Sequence, residues 1–387
     1  MKIAKSVNRL GTEAVYTIFA KTKKLIKQGK EIVDLSLGQS DFKSPQHAVD
    51  AAIKALKEGH HGYTLPNGII ECREAVSRKI KSLYRAEIDP ERIIIMPGGK
   101  PTMHYAISFF GEPDAEIIYP DPGFPIYESM INFTGAKAVS YNMTENEDFS
   151  INPDKILSLI NEKTRLLILN NPHNPTGGFT EKNVIDKLAN SLKNFPNVAI
   201  LSDEVYDRLI FDNKEIPTLL NYPDLYDRLI ILNGWSKTYA MTGWRLGWSV
   251  WPKKLIEHVF KFCVNSHSCV NTPAQYGAIA ALDGPEDHLK DMMNEFTSRR
   301  KLIVDGLRSL NGIKCSLPGG SFFVFPNVEG TGMNGEKFTD KCLKEAGVAA
   351  IPGTAFGKFA THNVRFNFAT SRANISKAIE KIDKILK

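Results

Sequence analysis

One lysine of the sequence lies where its side chain could do covalent chemistry. Lys237 belongs to the segment GWSKTYAMTGWR at residues 234–245, which is rich in Trp, Tyr and Met. Apolar surroundings disfavour the ammonium form of a lysine, so its neutral amine becomes available to form a Schiff base with a carbonyl compound. Arg245, at the end of the segment, offers a planar fork that suits a phosphate group. The alternative is a solvated surface lysine, which is the usual situation of any single lysine.

Asp203 is a second candidate, because it follows an apolar segment and is expected to be buried. A buried carboxylate needs a charged or hydrogen-bonding partner. A protonated pyridine nitrogen is one such partner. A helix cap or a structural salt bridge is the alternative.

A phosphate site is indicated at residues 98–102, which read GGKPT. Glycines let the backbone approach a ligand closely, and a proline suits the first turn of a helix. The free amides of a helix N-terminus bind anions, most often phosphate. Glycine pairs also occur in ordinary tight turns, so both interpretations stay open. The dinucleotide motif G-x-G-x-x-G is not matched, which argues against an NAD-dependent enzyme.

The elements that must position these residues follow an α/β pattern. Between about residues 90 and 250, a short apolar strand, a polar loop and an amphipathic helix recur, which is typical of a mostly parallel sheet. Polar loops that begin near Gly98, Asn171, Asp203 and Ser236 each follow a predicted strand. Because ligands of open α/β sheets bind at this carboxyl edge, the loops together predict one site. The predicted strands are 32–35, 93–96, 116–119, 165–169, 198–201, 229–232 and 246–250.

A different pattern begins near residue 286. A long charged helix at 286–310 precedes a C-terminal helix and predicted short strands near 312–315, 321–325 and 364–367. Near the N-terminus, a helix with its lysines facing water is predicted at 13–29. We therefore expect three parts: an N-terminal arm with part of a small domain (1–47), a large domain (48–285) and a smaller α+β domain (286–387).

The composition is that of an ordinary globular protein, with 42% hydrophobic and 24% charged residues in a chain of 387. The net charge of +6 comes from lysines and arginines scattered among acids, so a nucleic-acid partner is not expected. The five cysteines show no metal-like spacing, which favours reduced thiols and no metal site. No apolar stretch is long enough for a signal peptide or a membrane span, and we expect a cytoplasmic protein.

Several segments occur in an order that is typical of one enzyme family. They are Gly38 in LSLGQSDF, Tyr63 in HGYTLPNG, GGKP, Phe124 in PDPGFPIYES, NPHNPTG, SDEVY, SKTYAMTGWRLGW, PGG at 318–320, PGTAFG at 352–357 and Arg365 in VRFNFA. In this order and at these intervals they resemble the fold-type I, class I/II pyridoxal-phosphate (PLP) aminotransferases, the group that includes aspartate and aromatic aminotransferases. The resemblance covers nearly the whole chain and implies the PLP-dependent transferase (aspartate aminotransferase-like) fold.

The resemblance implies how a cofactor would be bound. Lys237 would hold PLP as a Schiff base and, once released, move a proton as the catalytic base. Asp203 would keep the pyridine nitrogen protonated. The other implied cofactor contacts are Tyr206 and Asn174 at the ring 3′-oxygen, Phe124 stacked on the ring, and a phosphate site of the Gly99 and Lys100 backbone, Ser236, Arg245 and Tyr63 of a neighbouring subunit.

The resemblance also implies how a substrate would be bound. Arg365 would clamp the α-carboxylate with two hydrogen bonds, aided by Asn174 and the Gly38 backbone. The Lys100 ammonium would recognise the side-chain carboxylate of an acidic substrate, or it is simply solvated; both interpretations stay open. Departures from the common pattern bear on the substrate rather than on the reaction, and they are Ser40, GIIECR at 68–73 and Trp235.

We therefore expect a homodimeric PLP-dependent aminotransferase with a ping-pong mechanism. An L-amino acid, aspartate or an aromatic one, would donate its amino group, and a 2-oxo acid such as 2-oxoglutarate would accept it. A β-lyase or a synthase on the same fold is the alternative, because the same Lys, Asp and Arg serve these reactions. A PLP-binding regulator is not expected, because the chain begins almost at once with the aminotransferase arm and leaves no room for a DNA-binding domain.

Overall fold

A seven-stranded sheet is the centre of the fold. The computed structural model describes residues 1–12 and 14–387. A short first strand, β1 (Val33–Asp34), lies outside this sheet. The seven strands of the sheet are β2 (Ile93–Met96), β3 (Glu116–Asp121), β4 (Lys137–Asn142), β5 (Thr164–Asn170), β6 (Ala199–Asp203), β7 (Leu229–Gly234) and β8 (Gly247–Val250). The order is β2-β8-β7-β6-β5-β3-β4, and only β8 is antiparallel to its neighbours. The predicted α/β class with a mostly parallel sheet is confirmed.

Alternate residues of these strands face two separate hydrophobic cores. Ile93 and Ile95 of β2 belong to one core, whereas Ile94 and Met96 belong to the other. Because helices cover both faces, the strands are nearly continuous apolar runs. The helices of the described residues are α1 (Ala14–Lys27), α2 (Gln46–Lys57), α3 (Ile70–Tyr84), α4 (Lys100–Phe110), α5 (Ile126–Thr134), α6 (Pro153–Leu159), α7 (Lys182–Leu192), α8 (Ile256–Ser266), α9 (Thr272–Asp283), α10 (Asp287–Arg308), α11 (Gly335–Lys341) and α12 (Arg372–Leu386).

A third core surrounds a small antiparallel sheet near the C-terminus. Its strands are β9 (Phe323–Val324), β11 (Ile351–Pro352) and β12 (Val364–Asn367), while β10 (Val348–Ala349) pairs in parallel with β1. Phe296 of α10 packs edge-on against Phe42, Phe322 and Phe368, with ring centroids 5.7, 6.0 and 6.4 Å away. The same core includes Tyr206, so it reaches the loop that follows β6.

The structure differs from the sequence-based expectation at a few elements. Strand β4 was not predicted, because it lies at the sheet edge and its Lys137 is exposed among half-buried residues. The predicted strand near 312–315 is wrong; the segment makes only an isolated bridge between Lys314 and Asn327. The predicted helix at 13–29 is observed as α1, and position 13 lies outside the described residues.

The cysteines and the helices bear on the environment of the protein. All five cysteines are free; four are buried, and Cys269 is half-buried. Within residues 1–12 and 14–387, none of the helices combines the length and the apolar character that crossing a bilayer requires.

Phe296→Ala should destabilise the protein strongly, because it empties the centre of the C-terminal core. Truncation of a fully buried phenylalanine typically costs about 3–5 kcal/mol of unfolding free energy. Chemical denaturation followed by tryptophan fluorescence measures the loss. Leu317→Ala is the control, because this leucine is half exposed and should change stability by no more than about 0.5 kcal/mol.

Candidate active site

The polar loops predicted to share one site do meet at the carboxyl edge of the central sheet. Strands β2, β5, β6 and β7 all end there, and the loops that begin at residues 97, 171, 204 and 235 follow them directly. The amine of Lys237 lies close enough to Asp203, Arg245, Arg365 and Lys100 for each of these charges to influence its pKa. Side chains from distant parts of the sequence therefore form one cluster.

Lys237 lies in the turn that follows β7, with its side chain directed into the cluster. Its Nζ donates a hydrogen bond of 2.6 Å to the carbonyl oxygen of Gly38. The rings of Tyr206 and Phe322 lie beside it, with centroids 5.8 and 5.5 Å from Nζ. Burial, followed by the positive charges of Arg365 and Arg245, lowers the pKa of Lys237 to about 8. A neutral amine is thus accessible near physiological pH.

Asp203 is the last residue of β6 and is buried, as predicted. Burial raises the pKa of its carboxyl group to about 6, and hydrogen bonds oppose the shift. The Tyr127 hydroxyl donates to Oδ2 at 2.6 Å, and the Val205 amide donates to Oδ1 at 3.3 Å. These donors favour the ionised form, so Asp203 can be the counter-ion of a buried cation.

A cradle for an anion lies between the loop after β2 and Arg245. Gly98 has a φ of +88°, and a Cβ built on it would lie 2.2 Å from Nη2 of Arg245. Helix α4 begins at Lys100. Its N-cap residue, Gly99, makes no side-chain hydrogen bond to the first amides of the helix, and the first turn contains no acidic residue. Backbone amides at a helix N-terminus and a guanidinium together form a typical phosphate-binding arrangement. Ser236 follows β7 at the same edge and is half-buried beside Lys237.

Arg365 of β12 is the buried cation of the cluster. Its Nη1 donates to Oδ1 of Asn174 at 3.0 Å, and its Nη2 donates to the carbonyl of Ser36 at 2.8 Å. The Phe323 and Phe356 rings lie against the guanidinium, with centroids 4.3 and 4.7 Å from its central carbon. The structure therefore brings Arg365, Asn174 and the Gly38 segment together, as the sequence motifs indicated.

Lys100 and Phe124 lie side by side, whereas Tyr63 lies elsewhere on the surface of the chain. Nζ of Lys100 is 5.6 Å from the centroid of the Phe124 ring and 5.3 Å from that of Tyr16 in α1. The lysine is half-buried, so it is not a fully solvated side chain. Tyr63 is 93% exposed, and none of its described contacts joins it to the cluster within one chain.

Sequence reasoning missed the aromatic residues that surround the charged groups. Tyr127 lies one helical turn after Phe124 in PDPGFPIYES, and that spacing was the available signal for a second side chain from this segment. Phe322, Phe323 and Phe356 gave no such signal. Aromatic residues in short apolar strands usually belong to a core, and only the fold shows which of them contact Arg365 or Lys237.

Comparisons with known proteins agree with this geometry. The profile of the family described as Aminotransferase class I and II matches residues 30–382. The chain therefore belongs to the class I and II aminotransferases and is an enzyme that transfers amino groups, as its motifs implied.

Individual relatives and structures extend the match over the whole chain. A probable aspartate aminotransferase of Methanocaldococcus jannaschii is 37% identical over 92% of this chain and 93% of its own. Aromatic-amino-acid aminotransferase 2 of Thermococcus litoralis is 32% identical over 94% of each chain. The structure of Thermus thermophilus aspartate aminotransferase with maleate superposes with a TM-score of 0.94 at 30% identity and covers 100% of both chains. The aspartate aminotransferase-like fold is confirmed.

Tyr127→Phe should raise the pKa of Asp203 above its value of about 6, because the lost hydroxyl stabilises the ionised carboxylate. A hydrogen bond to a charged group is worth about 1.5–3 kcal/mol, which corresponds to roughly one to two pH units. Infrared difference spectra of the cofactor-free protein at stepped pH follow the carbonyl band of the protonated acid.

Two further variants make this titration specific. Asp203→Asn identifies the band, since burial also raises the pKa of Glu204 to about 7 and that of Asp207 to about 6. Tyr141→Phe is the matched control, because this buried tyrosine donates to the Ile168 carbonyl instead of to a carboxylate. An unchanged midpoint in Tyr127→Phe would contradict the assignment.

Proposed function

We propose that this aminotransferase uses PLP, bound at the Lys237 cluster, to move the amino group of an acidic L-amino acid to 2-oxoglutarate by a ping-pong mechanism. Aspartate is the favoured donor. The observation that carries the proposal is the convergence of a lysine with a lowered pKa, a buried carboxylate and a buried guanidinium, which are Lys237, Asp203 and Arg365. Each group suits a different part of the chemistry: carbonyl capture, stabilisation of a protonated ring nitrogen, and binding of a carboxylate.

The residues present fit PLP at each of its functional groups. An aldehyde needs a neutral amine, and the pKa of Lys237 is lowered to about 8. A pyridinium nitrogen needs a buried anion, and the hydrogen bond from Tyr127 favours the ionised form of the buried Asp203 carboxyl group. A phosphate needs backbone amides and a guanidinium close together, and the lack of a side chain at Gly98 lets the Arg245 guanidinium approach the loop that precedes α4. Phe124 supplies a ring to stack on the pyridine, while Tyr206 and Asn174 supply polar atoms for its 3′-oxygen.

The reaction divides between proton transfer and substrate anchoring. PLP, when bound, stabilises the negative charge that develops as the substrate α-carbon loses its proton. The Lys237 amine, when it is not bound to the cofactor, would accept that proton at Nζ. Asp203 would hold the ring nitrogen of the cofactor, and its negative charge would favour the protonated nitrogen. Arg365, oriented by Asn174, binds the α-carboxylate through the N–H groups along the edge of its planar guanidinium and so fixes the α-carbon beside Nζ.

The position of Lys100 supports an acidic substrate. Its ammonium lies over the Phe124 ring, within electrostatic reach of Lys237, and is therefore directed towards the site. A cation at this place can pair with a carboxylate at the far end of aspartate, glutamate or 2-oxoglutarate. Several relatives are named aspartate aminotransferase, which agrees with this choice. The neighbouring rings of Tyr16 and Phe124 make an aromatic donor the second candidate.

We further propose a homodimer of cytoplasmic subunits. In each subunit, residues 1–47 form an N-terminal arm and part of the small domain, residues 48–285 form the large domain, and residues 286–387 form the small C-terminal domain. The exposed Tyr63 supports the dimer, because the side chain is available to reach the phosphate of a neighbouring subunit's cofactor. Leu65 and Ile70 nearby are also exposed, which is costly for apolar side chains unless another surface covers them. Free cysteines support a reducing compartment.

Borohydride reduction of the PLP-loaded protein should attach the cofactor to the peptide that contains Lys237. Peptide mass mapping locates the modification, and label on another lysine would refute the assignment. Lys237→Ala should abolish transamination, a loss of at least about a thousandfold, because it removes both the anchor and the base. The variant should still bind PLP through the phosphate and ring contacts. Assays for pyruvate and sulfide release on the wild type distinguish amino transfer from a β-lyase reaction.

Lys100→Met should reduce kcat/KM for aspartate and glutamate far more than for phenylalanine. It removes the ammonium but keeps the stem and the backbone amides of the cradle. The expected loss is roughly ten- to a hundredfold, since a hydrogen bond to a charged group is worth about 1.5–3 kcal/mol. Half-reaction spectroscopy with single amino acids measures it, without 2-oxoglutarate, whose distal carboxylate would mask the effect.

Lys214→Met is the matched control, because Lys214 also lies over an aromatic ring, that of Phe179, but outside the cluster. Equal losses for acidic and neutral donors would indicate damage to the phosphate cradle. No loss for any donor would shift the assignment towards an aromatic amino acid.

A further inference from the structure

Two loops from distant parts of the sequence are joined beside the site. One is the 121–124 loop (DPGF), which begins at the last residue of β3, and the other is the 353–359 loop (GTAFGKF), which follows β11. The Gly123 amide donates to the Phe356 carbonyl at 2.7 Å. The carboxylate of Asp121 accepts from the amides of Lys358 and Phe359 at 3.3 and 3.4 Å.

Asp121 is enclosed at this junction. Its side chain is only 2% exposed, and its described hydrogen-bond donors are the backbone amides of the other loop. Gly357 has a φ of +155°, and a Cβ built there would lie 1.8 Å from Oδ1 of Asp121. The carboxylate therefore occupies the space that any side chain at position 357 would need.

Both loops carry a residue of the site. The residue after Gly123 is Phe124, whose ring lies beside the Lys100 ammonium. On the other loop, the Phe356 ring lies 4.7 Å from the central carbon of the Arg365 guanidinium. Phe356 also meets Phe325, with ring centroids 6.2 Å apart. A shift of the 353–359 loop would thus move one of the two rings that hold Arg365.

We propose that Asp121 is a positioning residue for substrate binding. Its carboxylate fastens the 353–359 loop to the 121–124 loop, which keeps Phe356 against Arg365 in the orientation that receives a carboxylate. The inference rests on the proposed function, because that function assigns Arg365 to the substrate α-carboxylate. It adds a residue that touches neither substrate nor cofactor and acts through Phe356.

The first test measures ligand binding to the PLP-loaded enzyme. Maleate, a dicarboxylate without an amino group, is titrated by calorimetry against the wild type, Asp121→Asn and Asp121→Ala. We expect maleate to bind roughly tenfold more weakly to Asp121→Ala and by a smaller factor to Asp121→Asn, which keeps one acceptor oxygen. The KM for the amino donor and for the 2-oxo acid should rise by similar factors, while kcat changes by less than about threefold, because Lys237 and Asp203 are untouched.

The second test measures the loop itself and does not depend on activity. Hydrogen–deuterium exchange should accelerate at the amides of Lys358 and Phe359 in Asp121→Ala. Glu116→Gln is the matched control, because Glu116 is a buried carboxylate at the opposite end of the same strand. It should change neither exchange in the 353–359 loop nor maleate affinity.

A double variant tests whether the two loops act as one contact. Gly357→Ala should weaken maleate binding when it is introduced into the wild-type chain. Introduced into Asp121→Ala, the same substitution should reduce maleate affinity by a smaller factor, because the carboxylate no longer occupies the space. Backbone strain at position 357 is present in both backgrounds and cancels in the comparison. Fully additive effects would contradict a direct contact between the two positions.

The outcomes separate this inference from the proposed function. Faster exchange with unchanged maleate affinity would overturn the positioning role and leave a structural one. Unchanged exchange in Asp121→Ala would overturn the fastening itself. If the wild type fails to transaminate any amino acid, the proposed function fails, and the exchange measurement still decides whether Asp121 holds the loop.

Discussion

Exclusion of water from ionisable groups at one edge of the central sheet is the constraint on which the site depends. Burial moves the pKa of Lys237 down to about 8 and that of Asp203 up to about 6, so each group is brought closer to neutrality. The Tyr127 hydrogen bond opposes this shift in Asp203, and a hydrogen bond to a charged group is typically worth about 1.5–3 kcal/mol. Without that bond the carboxyl group would stay protonated over more of the neutral range, and it would be a poorer counter-ion. The Gly38 carbonyl has the same effect on Lys237 as Tyr127 has on Asp203: it accepts a hydrogen bond from the ammonium and so favours the charged form, without adding a negative charge.

Aromatic rings and backbone contacts extend this constraint into the C-terminal part of the chain. Arg365 is a buried cation held between the Phe323 and Phe356 rings, where a guanidinium is attracted to the ring faces. The NPHNPTG segment meets the same region, since the amides of Gly319 and Gly320 both donate to the Gly177 carbonyl. Arg365 is therefore oriented by Asn174 from one loop and by rings from another part of the fold. A change at either side would alter the direction in which the guanidinium faces.

The sequence predicted the central sheet well because its strands are buried on both faces. Such strands are short apolar segments followed by polar residues. Asn174 and Lys237 lie in the loops after β5 and β7, as expected, whereas Asp203 is the last residue of β6 itself. Strand β4 escaped because an exposed edge strand has no such pattern. The contacts of Asp203 and Arg365 were not predicted for another reason: Tyr127 and Phe356 are residue types that usually belong to a core. The residues that these side chains contact depend on how α5 and the 353–359 loop pack.

The reversal of β8 explains why an arginine so close to Lys237 in sequence can reach the anion cradle. A strand antiparallel to its neighbours begins at the edge where they end, and Gly247, the first residue of β8, pairs with both Met96 and Gly234. Arg245 lies just before it, with a φ of +55° that turns the chain back towards Gly98. Close approach is possible because positions 98 and 247 both lack a side chain; a Cβ on Gly247 would lie 2.7 Å from the Gly98 carbonyl carbon. In a parallel β8, the segment before the strand would lie at the opposite edge of the sheet. Because β8 is reversed, the guanidinium of Arg245 lies at the same edge of the sheet as the turn after β7, which holds Lys237.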